Sequence, residues 1–176
     1  MRSFDLVVIG SGPAGQRCAV HAAKLGKSVC VVEQREVVGG VAVNTGTIPS
    51  KALREAILRA LGRGTLVART SDFGQGKAPS LARLLGSANE VVKGEIDLIR
   101  KRFDANGIET ITGRGEFRDP FTIDIIGEHA ASTVRAERVL IAVGTQPTRM
   151  PGIPFDGTNV ITSDEILSLP HLPRSM

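Results

Sequence analysis

Apolar residues fall along this chain in two rhythms, and the switch between them marks its elements. Residues 4–9 (FDLVVI) form an almost uninterrupted apolar run, which predicts a short strand buried on both faces. From 16 to 25, small and apolar residues recur at helical spacing, and Gly26 supplies a stop. Residues 28–32 (SVCVV) predict a second buried strand ending at Glu33. Together these make a βαβ unit of about 30 residues with parallel strands and a right-handed crossover. Residues 39–49 are turn-rich and read as irregular, after which Ser50 reads as the N-cap of a helix running to about 61, ended by Gly62. A polar loop over 63–78 leads to Pro79 at the head of a long helix. Leu81, Leu84, Leu85, Ala88, Val91, Val92, Ile96, Ile99 and Phe103 share one stripe of that helix, and Asn106-Gly107 closes it. Then the period shortens. Residues 108–112, 121–126 and a weaker 132–134 predict the strands of a meander, with turns at Asp119-Pro120 and Gly127-Glu128. Residues 139–143 predict one more buried strand, stopping at Gly144, and the remainder is Pro-rich with a short helix signal at 164–168.

The first βα turn carries chemistry. Gly10-x-Gly12-x-x-Gly15 lies directly after a predicted strand and directly before a predicted helix. In such a turn one glycine permits the tight bend, one admits a pyrophosphate to the backbone, and one lets helix and strand pack closely. The helix N-terminus presents free N–H groups and partial positive charge to the phosphates. Glu33, at the end of the second strand, is placed to accept hydrogen bonds from both hydroxyls of an adenosine ribose and would repel a 2′-phosphate. The fold class expected is therefore α/β, a Rossmann-like parallel sheet with a three-stranded β-meander. The motif alone leaves NAD and FAD both open.

Composition narrows the field. At 176 residues the chain has room for one domain of ordinary size. Hydrophobic residues are 41% and charged residues 23%, which excludes a disordered chain, and no run reaches the roughly 20 apolar residues of a membrane span. The net charge of +4 invites a nucleic-acid reading, but basic residues are dispersed among acidic ones. The only aromatics are six Phe, so stacking surfaces for bases are scarce. Neither nucleic acid nor membrane is an expected partner; an anionic ligand is. Cys18 and Cys30 show no metal or redox spacing and read as inert small hydrophobes, and no metal site is expected. The opening run leads straight into the glycine motif rather than resembling a signal peptide, so a reducing cytoplasm is the expected compartment.

A second motif separates the cofactors. Thr45-Gly46-Thr47-Ile48-Pro49-Ser50-Lys51 offers another helix start with small residues ahead of it. Here the chain resembles the flavoprotein disulfide reductase family, whose glycine pair and following Pro-Ser-Lys segment line FAD. The likeness runs over essentially the whole chain, including Gly115 before Phe117 and the strand ending in Ala142-Val143-Gly144. It implies FAD as cofactor, held by Gly10, Gly12, Pro13, Ala14 and Gly15, by Glu33, Gln34 and Arg35, and by Gly39, Gly40, Val41 and Ala42. It extends that set to Gly46, Thr47, Ser50 and Lys51, to main-chain contacts of Gly115 and Glu116 with adenine, and to the Ala142, Val143 and Gly144 turn, where Val143 replaces a usual Thr. Lys51 would sit near the flavin, where a cation favours the anionic reduced form; the alternative is a helix-start lysine pointing into water.

Members of the family that reduce disulfides carry two cysteines just before the Ile-Pro-Ser-Lys segment. Ala42 and Thr47 occupy those positions, so no thiolate can form there. Gly-Thr-Ile-Pro-Ser-Lys resembles the soluble pyridine nucleotide transhydrogenase branch, in which hydride passes from NADPH through FAD to NAD without a thiol. Ala42 departs from that branch, many of whose members keep a Cys there. The resemblance implies a FAD-binding domain over 1–150, with a helical insertion at about 50–106 and the meander at about 108–135. Residues 151–176 are then expected to lead toward an NAD(P)-binding domain outside this chain, incomplete relative to the family, whose parent is expected to be a homo-oligomer. A dihydrolipoamide-dehydrogenase-like or mercuric-reductase-like paralogue, a non-catalytic FAD or nucleotide module, and a simple NAD-dependent dehydrogenase domain remain the alternatives.

Overall fold

The structure, a computed structural model, describes residues 1–61, 80–128, 131–171 and 175. The polar loop expected over 63–78, with Gly62 and Pro79 at its ends, lies outside the described residues. The chain divides into two compact units, Met1–Ala42 with Glu95–Thr145, and Val43–Gly94 with Gln146–Met176.

The first unit is built on one six-stranded sheet. β1 (Arg2–Ile9) leads through helix α1 (Pro13–Lys24) to β2 (Val29–Glu33), as the apolar runs predict. A short helix α2 (Gly40–Asn44) begins soon after β2; the sequence reads this stretch as irregular because two glycines open it. Further on come β3 (Glu109–Thr112), β4 (Arg114–Asp119), β5 (Thr122–Ile126) and β6 (Ala131–Ile141), in the spatial order β3-β2-β1-β6-β5-β4. β3, β2, β1 and β6 run parallel, while β4, β5 and β6 form an antiparallel meander continuous with them.

That arrangement corrects three expectations. The strand at 108–112 is not part of the meander; it is the third parallel strand, pairing Cys30 with Glu109 and Glu33 with Thr112. The two strands expected at 132–134 and 139–143 are one strand, because β6 pairs with β5 along its first half and with β1 from Val134 to Ile141. The third meander strand is β4, whose residues are almost all exposed and show no apolar alternation.

The core explains the order. Every residue of β2 is buried, and Val7, Ile9, Cys30, Val32, Ile123, Ile125, Val134 and Ala136 make one continuous apolar cluster across four strands. Each Val or Ile side chain of the cluster contributes about 1.5–3 kcal/mol by leaving water. From the middle of β1, the Asp5 carboxylate accepts the Ser28 N–H at 2.7 Å and the Ser28 hydroxyl at 2.6 Å, pinning the start of β2.

The second unit contains α3 (Thr47–Ala60), the part of α4 (Leu81–Ala105) before Glu95, and a 3-10 turn at Glu165–Ser168. The predicted stripe of α4 buries Leu84, Ala88, Ile96, Ile99 and Phe103, while Val91 lies exposed. Between Met150 and the 3-10 turn, Asp156 folds its loop by accepting the N–H groups of Thr158, Asn159 and Val160. No helix among the described residues is long and apolar enough to cross a membrane.

Candidate functional site

In the first unit, α1 leaves β1 toward β2 on one side, and β6 joins β1 on the other. The carboxyl end of β1 is therefore a point where the strand order reverses, the place where open α/β sheets form a crevice. Four of the segments singled out from sequence meet at this end. Gly10 has φ +107, and a Cβ on it would overlap the carbonyl oxygen of Ala142, so the turn after β1 lies directly against the turn after β6. A Cβ on Gly15 would overlap the Gly10 carbonyl and come within 3.1 Å of Val8, so α1 rests on β1 through this glycine. Gly40, with φ +61, brings its Cα so close that a Cβ would stand 2.7 Å from the Cα of Gly12. Gly115 in β4 faces Ile9, with ordinary room at 3.5 Å.

Gly12 differs from its neighbours. It is the N-cap of α1 in extended conformation (φ −66, ψ 178), and a Cβ on it would meet nothing within 4 Å. The free N–H groups of the first turn have neither an intrahelical partner nor a side-chain cap. No acidic residue sits in that first turn, so no side chain of the helix itself blocks the positive end of its dipole. Pro13 occupies the first helical position, where its missing N–H costs nothing, which is why α1 begins three residues before the expected start at Gln16. An open cradle, free N–H donors and the positive end of the helix dipole together fit a pyrophosphate, and so fit that of FAD.

Glu33 stands beside this turn and is 8% exposed. Its Oε2 accepts the backbone N–H of Ser11 at 2.9 Å and the Ser11 hydroxyl at 2.5 Å, and its Oε1 accepts the N–H of Arg35 at 3.0 Å. Ser11, fully buried, also accepts the N–H of Gly39 on its hydroxyl, and its carbonyl accepts Gln16 Nε2. Sequence reasoning missed Ser11 and Gln16. The available signal was a polar residue between two glycines at the end of a buried strand.

The remaining expected residues of this unit are at the surface or half-buried. Gln34 and Arg35 are exposed beyond β2, and Val41 and Ala42 are half-buried in α2. Glu116 is exposed and pairs with Arg114 at 3.2 Å; Val143 and Gly144 are exposed after β6. Cys30 is wholly buried, and burial pushes its thiol up to about 12, in keeping with an inert core residue. Among the described residues no group of three or more His, Cys, Asp or Glu could hold a metal ion.

Gly46, Thr47, Ser50 and Lys51 belong to the second unit. There Gly46, not Ser50, caps α3, and the helix starts at Thr47. The reason is Pro49, which fits the first turn of a helix because N–H groups there need no partner. Ser50 lies inside the helix, donating its hydroxyl to the Thr47 carbonyl at 3.2 Å. Lys51 is exposed. Just ahead of the helix, the Thr45 hydroxyl is buried without a hydrogen-bond partner, alone in this among the described residues.

Known proteins agree with this geometry. The chain is 44% identical over 179 aligned residues to the soluble pyridine nucleotide transhydrogenase of Mycobacterium tuberculosis (strain ATCC 25177 / H37Ra), an alignment covering 100% of this chain and 38% of that protein. It is 39% identical to the soluble pyridine nucleotide transhydrogenase of Marinomonas sp. (strain MWYL1), covering 99% of this chain and 38% of the relative. The chain thus spans well under half the length of these relatives. Among solved structures, the Cu(II) complex of the HOCl-induced flavoprotein disulfide reductase RclA from Escherichia coli superposes with a TM-score of 0.77 at 28% identity, covering 98% of this chain and 36% of RclA. Over residues 4–176 the sequence also matches the family described as pyridine nucleotide-disulphide oxidoreductase, and with strand order, glycine turn and acidic strand end all in register, the chain belongs to that family.

Proposed function

We propose that this chain is the FAD-binding portion of a flavin-dependent oxidoreductase of the soluble transhydrogenase type. The observation that carries the reading is the open cradle over Gly12 at an uncapped helix N-terminus, with the Glu33 carboxylate fixed beside it. In this reading the first-turn N–H groups of α1 hold the pyrophosphate, Glu33 holds the ribose, and Gly115 and Glu116 meet adenine. Ala142, Val143 and Gly144 close the site beside Gly10, where the carbonyl of Ala142 already lies against that glycine. Gly39, Gly40, Val41 and Ala42 bound the pyrophosphate from the second loop.

When bound, FAD would supply the redox chemistry for hydride exchange between NADPH and NAD. The side chains contribute position and charge. Ala42 and Thr47 stand where a redox dithiol would need cysteines, which supports a thiol-free route. We further assign Gly46, Thr47, Ser50 and Lys51 to the flavin end from the sequence, with Lys51 favouring the reduced anion. Pyridine nucleotides are the proposed partners of the whole protein, and a homo-oligomer in the cytoplasm is its proposed setting.

The test has two parts. Apo chain titrated with FAD should quench flavin fluorescence to a saturable end point. Transhydrogenation between NADPH and an NAD analogue, by a protein carrying this segment, should be insensitive to arsenite, which traps paired thiols. Arsenite-sensitive turnover would contradict the thiol-free route.

A further inference from the structure

We propose that Ser11 is a positioning residue that makes Glu33 a reader of one ribose hydroxyl rather than two; this rests on the FAD reading above. A carboxylate has two oxygens and about four acceptor positions. Ser11 fills both positions of Oε2, with its backbone N–H at 2.9 Å and its hydroxyl at 2.5 Å. The N–H of Arg35 takes one position of Oε1 at 3.0 Å. Among the described residues no other donor reaches the carboxylate, so a single acceptor position is left, on Oε1.

The saturation of Oε2 is held in place by its surroundings. The Gly39 N–H can only donate, and it reaches the Ser11 hydroxyl oxygen at 2.9 Å. The carboxylate can only accept. The hydroxyl proton of Ser11 therefore has one orientation that satisfies both neighbours, toward Glu33. Gln16 fixes the same residue from its other side, donating Nε2 to the Ser11 carbonyl at 2.8 Å. Ser11 is 0% exposed, so water does not compete for its bonds, while Glu33 at 8% keeps one edge open to a ligand. An adenosine ribose brings two hydroxyl protons to a carboxylate that can accept one.

The test uses the whole chain and three ligands: FAD, FAD with 2′-deoxyadenosine, and FAD with 3′-deoxyadenosine, each titrated by flavin fluorescence. One deoxy analogue should bind nearly as well as FAD and the other about tenfold more weakly, as for one lost hydrogen bond to a charged group. Ser11→Ala frees a position on Oε2, so in that variant both analogues should fall behind FAD. A merely structural role for Ser11 would change all three affinities together and leave their ratios unmoved. Equal weakening of both analogues by the unsubstituted chain overturns the inference, and so does a one-sided pattern that survives Ser11→Ala. Should the variant fail to fold, the comparison on the unsubstituted chain still decides. Failure to bind FAD at all would overturn the proposed function, and this inference with it; FAD binding with equal losses overturns this inference alone.

Discussion

Two glycines three positions apart should respond differently to the same substitution, one losing binding alone and the other stability and binding together. Gly12→Ala adds a methyl where no protein atom lies within 4 Å, on a backbone already extended at φ −66. Folding stability should therefore change by no more than about 0.5 kcal/mol, with a small loss because Ala is a poorer N-cap than Gly. The methyl would occupy the cradle, however, and hold a pyrophosphate away from the first-turn N–H groups. Losing one charge-assisted hydrogen bond costs about 1.5–3 kcal/mol, or roughly 10- to 100-fold in FAD affinity. Gly15→Ala drives its methyl into the Gly10 carbonyl and to 3.1 Å from Val8, and a backbone atom cannot swing aside as a side chain can. Overpacking of this kind costs about 1–3 kcal/mol or more, so stability and binding should fall together. Urea denaturation read by far-UV circular dichroism gives the first quantity, and flavin fluorescence titration gives the second. Gly12→Ala with full stability and undiminished FAD affinity would refute the placement of the phosphates.

Removing the Glu33 carboxylate should destabilise the chain even without ligand: Glu33→Ala strands the Ser11 N–H, the Ser11 hydroxyl and the Arg35 N–H, a loss of at least about 2 kcal/mol, and an unchanged urea midpoint would contradict that. Asp5 is held from 3.8 down to about 2, chiefly by the Ser28 hydroxyl and N–H. A depressed folded-state value means its stabilisation is present above pH 3.8 and is lost as pH falls toward about 2. The gap in melting temperature between the unsubstituted chain and Asp5→Asn should be open at neutral pH and close across that window; a gap independent of pH would show the carboxylate plays no such part. With its thiol pushed up to about 12 and its side chain fully buried, Cys30 should escape alkylation at pH near 8 in the native chain and react in urea, as mapped by mass spectrometry. Alkylation of native Cys30 at the denatured rate would count against a closed core.

Where the side-chain pattern itself dictates structure, the sequence was readable. β1, α1 and β2 follow from two valine-rich runs and three glycines, since burial on both faces leaves a continuous apolar stretch and a tight turn leaves no room for a Cβ. β4 was not readable because its existence depends on pairing with β5 rather than on burying its own side chains; RGEFRD carries no alternation to detect. β6 reads as two strands because the charged residues Arg135, Glu137 and Arg138, all exposed, interrupt its apolar pattern, while the backbone runs on unbroken from one partner strand to the other. Both helices begin ahead of the expected starts because Pro13 and Pro49 lie inside their first turns, where apolar spacing does not yet mark a helix. In the candidate site, the glycines and Glu33 were legible from spacing. The Ser11 bonds were not, because spacing says where a carboxylate stands and not which of its oxygens are already taken.

The most direct measurement is an equilibrium titration of the apo chain with FAD, repeated with excess ADP and again with excess FMN. If the first unit grips the adenine half through the α1 N-terminus and Glu33, binding will saturate at one FAD per chain, and ADP will displace it while FMN will not. No saturable binding, or displacement by FMN alone, would contradict the account.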